Sequence, residues 1–167
     1  MRLTQYIKEE KQKEIILLVG LPASGKSTYI SKMNGKFAIV SNDLYVEKIA
    51  KKLNLIYTEA FDKINRDDVL SNTRKEFDKA IGKNKSVIVD NTNMNTKERS
   101  YFMKSTAEEY KRIAIIFKIS DAELRKRLNK RGEKTGKVIP YEVIEKMKAR
   151  YEPPTTKEGF DEIKTIS

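Results

Sequence analysis

Four residues, Gly20, Gly25, Lys26 and Ser27, stand at the spacing G-x-x-x-x-G-K-S inside the stretch GLPASGKST. The chemistry this spacing serves is the binding of a phosphate chain. Small residues (Gly20, Ala23, Ser24, Gly25) let successive backbone N–H groups curl around phosphate oxygens. A helix that starts at Lys26 turns its positive end toward the anion. Lys26 reaches the β- and γ-phosphates, and the Ser27 hydroxyl, followed by Thr28, is placed to ligate Mg²⁺. The expected ligands are therefore a nucleoside triphosphate, its base left open between ATP and GTP, and Mg²⁺. Whether the γ-phosphate is hydrolysed, transferred or only held depends on what faces this loop.

Two carboxylates are candidates for that place. Asp90 closes the apolar run SVIVD, a position from which a carboxylate holds the Mg²⁺ shell or a water bound to it. The competing reading makes it a turn residue in DNTN. Asp43 follows the run KFAIVS by two residues and lies 17 residues after Lys26. It has the chemistry of a base that takes a proton from an attacking hydroxyl. It also has the chemistry of a helix N-cap. Arg127 and Arg131, spaced i, i+4, share one helix face. They supply a cation for the γ-phosphate, or else belong to a solvated charged face.

The elements that must position these groups alternate. Apolar, β-rich runs at 14–20, 36–41, 86–90 and 112–120 read as strands of a parallel sheet. Helices are expected from Lys26 to Lys32, over 43–53, over most of 58–82 with Phe61, Ile64, Val69, Phe77 and Ile81 facing inward, and over 94–110 with Asn95 or Thr96 near its cap. Two more follow. The first covers 122–131, with Asp121 as its cap and Leu124 and Leu128 inward. The second covers 140–151, with Val143, Ile144 and Met147 inward. Gly82 fits a helix stop, Gly132 to Gly136 a mobile lid, and 160–167 a last short strand. The pattern implies a single-domain α/β fold. Its doubly wound, mostly parallel sheet has four to five strands, helices on both faces and a basic helical lid. Residues 1–13 form an N-terminal extension to a domain over 14–167.

Composition narrows the chemistry. The 167-residue chain has no His and no Cys. Imidazole bases, thiol nucleophiles, disulfides and cysteine zinc sites are thereby excluded. No run approaches the roughly 18 apolar residues that span a bilayer, and the charged N-terminus is unlike a secretory signal, so a cytoplasmic protein is expected. The net charge is +11. Residues 124–137, LRKRLNKRGEKTGK, hold seven basic residues against one Glu. Such a surface suits a polyanion, nucleic acid included.

Taken together, GLPASGKST, VSNDLY, VIVDNTNMNTKERS and DAELRKRLNKRG followed by VIPYEVIEKM resemble the 5′-kinase domain of phage and bacterial polynucleotide kinases, which repair nucleic-acid ends. The resemblance runs from about Glu14 to Tyr151. It implies ATP and Mg²⁺ as cofactors and 5′-hydroxyl ends of DNA or RNA as the partner. It implies Lys26, Asp43 and Arg131 as catalytic residues, with Asp43 the general base and Arg131 the lid arginine on the phosphates. Arg127 then packs on the adenine, with Ile139 on its other face, and Asp90 or Asn91 holds the acidic position near the acceptor. Val46 departs from the pattern, since members tend to carry Arg there to meet the acceptor's phosphate. Lys48, Lys51 or Lys52 nearby is the candidate substitute, and a small-molecule kinase on the same scaffold, acting on a nucleoside, nucleotide or sugar, is the alternative that this departure favours.

Overall fold

The computed structural model describes residues 12–33 and 35–167. Most of the expected N-terminal extension lies outside the described residues. Five strands, β1 (Glu14–Val19), β2 (Ala38–Val40), β3 (Val87–Val89), β4 (Lys111–Phe117) and β5 (Glu162–Ile166), form one sheet in the order β2-β3-β1-β4-β5. Every pairing is parallel. The fifth strand is the one expected near the C-terminus.

Parallel strands need helical crossovers, so both faces of the sheet are covered and both must be apolar. Strand alternation sorts the core accordingly. Ile15 and Leu17 of β1 join Val87, Val89, Phe77 and Phe102 on one face. Ile16 and Leu18 join Ile88, Ile113, Ile115 and Phe117 on the other. The covering helices are α1 (Lys26–Ser31), α2 (Asn42–Leu53), α3 (Tyr57–Lys63), α4 (Arg66–Gly82), α5 (Thr96–Lys104), α6 (Asp121–Thr135) and α7 (Tyr141–Ala149), with a 3-10 turn at Thr156–Glu158.

Several local expectations are corrected. The stretch 58–82 is two helices, because the chain turns extended at Ile64 and the Asn65 side chain accepts from Asp67 N–H to start α4 afresh. Phe61, expected inside, is 46% exposed. The α3 helix is one short segment that buries only Ala60. The helix expected over 94–110 stops at Lys104, while Asn95 does cap it. Ser120, not Asp121, caps α6 by accepting from Glu123 N–H. The α6 helix also continues through Gly132 to Thr135, so four of the five residues of the expected lid are helical. It ends on Gly136 at φ 68°, a left-handed conformation that glycine adopts without steric cost. Val143 is exposed, whereas Ile144 is fully buried. Gly82 is the last residue of α4, and Asn84 takes the left-handed conformation beyond it.

Candidate active site

The C-terminal edge of a parallel sheet is where α/β folds bind ligands. Here β1 is central, so the loop after it is flanked by the exits of β3 and β4. A cleft of about 1880 Å³ opens over this edge, lined by Ala23 to Thr28, Asp43, Asp90, Arg127 and Arg131.

The loop from Gly20 to Gly25 leaves β1 through a tight passage. A Cβ on Gly20 would sit 2.8 Å from Ser24 Oγ and 3.0 Å from Phe117 Cβ. Ala23 and Gly25 have positive φ, 62° and 110°, which curls the chain back toward its own start. The Ser24 hydroxyl is buried without a partner. Lys26 is 9% exposed, and its Nζ donates to the carbonyls of Gly20 at 2.9 Å and Leu21 at 2.8 Å. Burial lowers its pKa from 10.5 to about 8, against the opposing pull of Asp90. A cation held at such cost inside a curled loop is matched to a strongly anionic ligand.

Asp90 leaves β3 beside this loop. Its N–H donates to Val40 O at 2.8 Å, and Gly20 N–H donates to Thr92 O at 3.0 Å, which ties the β3 exit to the β1 exit. Burial raises the Asp90 pKa, with Lys26 acting the other way. Ser27 is exposed to the cleft. One hydroxyl and one carboxylate suit Mg²⁺, which keeps waters and takes substrate phosphate oxygens rather than an all-protein cage. The Asn91 side chain ties β3's exit to α2, since its Oδ1 accepts from Asn42 N–H at 2.9 Å.

Asp43 lies across the cleft in the first turn of α2. Ser41 is the N-cap, accepting from Asp43 N–H at 3.1 Å, so the Asp43 carboxylate is not spent on capping. It receives the Tyr57 hydroxyl at 2.5 Å on Oδ1, and Arg131 approaches Oδ2 at 3.8 Å. Burial and that hydrogen bond both raise the Tyr57 pKa, so the phenol stays protonated as a donor. Arg127 pairs with Glu123 at 2.9 Å and lies 3.5 Å from Ala23 O, at the rim of the loop. Ile139 lines the same cleft. The end of α6 is fastened to α3 and α2: Thr58 donates to Gly136 O at 2.8 Å, and Lys137 pairs with Glu47.

The fold thus brings together every site residue expected from the sequence. It adds two that sequence reasoning does not place. The sequence offers Tyr45, Tyr57, Phe61 and Tyr101 as aromatics for stacking on a base, with core packing as the competing reading, and nothing local ties Tyr57 to Asp43. Lys137, whose ammonium lies 4.2 Å from the Tyr57 ring centroid, is there one charge in a basic run. Val46 is 1% exposed and packs with Ala50 and Ala60. An α2 arginine at this position would have to leave an apolar cluster.

A curled, lysine-bearing loop after the central strand of a parallel α/β sheet defines a P-loop nucleotide-binding domain. The chain belongs to the AAA_33 family of AAA domains, whose model matches residues 15–154. It is 26% identical over 165 residues to the bifunctional polynucleotide phosphatase/kinase of Schizosaccharomyces pombe, covering 96% of this chain and 35% of that protein. It is 29% identical over 150 residues to the L-seryl-tRNA(Sec) kinase of Methanococcus maripaludis, covering 88% of this chain and 56% of that one. A chain in the solved structure of the Pnkp1/Rnl/Hen1 RNA repair complex superposes with a TM-score of 0.65 at 27% identity, over 93% of this chain and 48% of its own length. The chain therefore spans little more than half of these relatives at most. Among the described residues, no helix is long and apolar enough to cross a membrane.

Proposed function

We propose that this domain transfers the γ-phosphoryl group of ATP to the 5′-hydroxyl end of a nucleic-acid strand. The observation that carries the reading is Asp43. It is an exposed carboxylate facing the phosphate loop across one cleft, freed from capping by Ser41 and oriented by Tyr57. A carboxylate so placed takes the proton of an attacking hydroxyl, and the choice between water and a nucleic-acid hydroxyl rests on what else binds in the cleft. The polynucleotide kinase relatives and the charge of +11 support nucleic acid as that acceptor.

In this reading the loop N–H groups and Lys26 hold the β- and γ-phosphates. Ser27 and Asp90 would hold Mg²⁺, which would neutralise phosphate charge. The acceptor oxygen lies between the γ-phosphorus and Asp43. As the oxygen–phosphorus bond forms, Asp43 takes the hydroxyl proton and ADP departs with the electron pair of the broken bond. Arg131 moves from the Asp43 side to the γ-phosphate, and Arg127 stands at the nucleotide's rim. The 14–167 domain carries all of these residues.

A second reading, a small-molecule kinase, is favoured by Val46, because the α2 residues that line the cleft then include no cation for an acceptor phosphate, Lys48, Lys51 and Lys52 lying outside that lining. One experiment separates the two. The protein is incubated with Mg²⁺ and γ-labelled ATP. The acceptors are 5′-hydroxyl oligonucleotides (DNA and RNA), their 5′-phosphorylated twins, and a panel of nucleosides. Label on the 5′-hydroxyl oligomers alone is expected. In Asp43→Asn that label falls at least about 100-fold while ATP affinity stays within about threefold. Label on nucleosides only, or free phosphate only, refutes the polynucleotide reading.

A further inference from the structure

Beyond Asp43, the cleft has a wall that phosphate chemistry does not use. Phe61 lies in this wall although it is a large apolar residue 46% exposed. Its ring stacks beside Tyr57, with centroids 6.0 Å apart and planes 21° from parallel. Tyr57 is fixed at its hydroxyl by Asp43 and covered by the Lys137 ammonium. The aromatic pair is therefore anchored at the base and open at Phe61. Ile64 and Leu70 continue the same wall.

Cations border it. Arg66, Arg74 and Lys97 all line the cleft. Arg74 is the best organised of them. Its guanidinium lies 4.4 Å from the Tyr101 ring centroid, and its Nε is buried without a partner. The preceding residue, Thr73, donates its hydroxyl to Asn42 Oδ1 at 2.7 Å. Asn42 precedes Asp43, so α4 and the base form one connected unit.

We propose that this wall is the subsite for the acceptor's first nucleotide, with its nucleobase against Phe61 and its phosphodiester on Arg74. The inference rests on the polynucleotide reading and deepens it. Aromatic faces bind any base without reading sequence, which is what an end-processing enzyme requires. Guanidinium is the side chain best matched to a phosphodiester, and stacking on Tyr101 holds it in place before the strand arrives. With Val46 buried in the α2 cluster and Lys48, Lys51 and Lys52 outside the cleft lining, α4 supplies the cleft-lining cation that α2 does not.

The test uses a 5′-hydroxyl oligonucleotide carrying a 3′ fluorophore, with binding read by anisotropy across a salt series. Transfer kinetics are measured on the same oligomer and on a nucleoside. Phe61→Ala is expected to weaken oligomer binding roughly 5- to 100-fold, and Phe61→Tyr to restore it. Arg74→Gln is expected to weaken binding about tenfold and to lower the slope of log affinity against log salt by about one, with Arg74→Lys partly restoring both. In each variant KM for the oligomer rises while KM for ATP does not. Variants that bind and phosphorylate the oligomer as the wild type does would overturn the subsite and leave the kinase reading standing. A wild type that labels nucleosides but neither binds nor labels the oligomer would overturn both.

Discussion

Removing the carboxylate of Glu158 is expected to be the most damaging single truncation away from the cleft. Arg99 is wholly buried, with no exposed side-chain surface, and Glu158 retains 10%. The pair is bidentate: Nε donates to Oε2 at 2.8 Å and Nη2 to Oε1 at 2.8 Å. The remaining guanidinium nitrogen, Nη1, donates to Asn93 O at 2.8 Å. Glu158→Ala leaves this cation buried and uncompensated, which costs about 3–5 kcal/mol. It also removes the acceptor for Thr155 N–H in the 3-10 turn. For a domain of this size about 1 kcal/mol lowers Tm by roughly 2–4 °C, so a fall of roughly 6–20 °C is expected. Urea unfolding followed by circular dichroism measures the free energy, and calorimetry the Tm. A loss under about 1 kcal/mol would refute the reasoning, because it would mean the guanidinium reaches water. A second arm uses Arg99→Met with Glu158→Met. With both charges gone, the double variant is expected to lose less than Glu158→Ala alone. The effect also reaches the cleft. Asn93 Nδ2 donates to Leu18 O at 2.8 Å, and the loop it fixes carries Asp90 and Asn91. Turnover of the folded fraction should therefore fall as well.

Two further outcomes are expected. Lys26→Met abolishes phosphoryl transfer yet raises thermal stability, by up to about 3 kcal/mol near neutral pH, the free-energy equivalent of a pKa depressed from 10.5 to about 8. The folded state binds this proton more weakly than the unfolded chain does. The penalty is therefore fully present below about pH 8 and fades as pH rises toward 10.5, so the gap between wild type and variant should close over that window in thermal melts. Val46→Arg restores the residue type that polynucleotide kinases tend to carry, but it places a charge among Val46, Ala50 and Ala60. It is expected to destabilise the protein by several kcal/mol, on the order of other unpaired buried charges, and not to improve oligomer binding. A stable variant with tighter binding would show that α2 turns this position into the cleft.

Much of the fold is written in the chain's local order. The loop from Gly20 to Thr28 is legible because consecutive residues form it. The strands are legible because a sheet covered on both faces demands short apolar runs. The cap of α5 is legible to within one residue, Asn95 or Thr96, because capping acts over three residues. Local reading fails where two signals compete within a turn. Ser120 and Asp121 are both good caps, and only backbone placement chooses between them. The break between α3 and α4 hides in a continuous helical pattern, and with it the orientation of Phe61.

The pairings across the cleft were decided by tertiary structure alone. Tyr57 meets Asp43, Arg131 approaches the same carboxylate, and Arg99 finds Glu158 at 59 residues' separation. No periodicity encodes such contacts, because each depends on how separate helices dock on the sheet. The same holds for Val46: its sequence position marks a missing cation, and only packing shows that α2 turns it inward. The sequence by itself determined a phosphate-binding loop on a parallel α/β sheet, since both are written in short-range patterns of residue size and hydrophobicity. The shape of the acceptor side was settled by the packing of α2, α3, α4 and α6, because long-range contacts set which exposed side chains share one cleft.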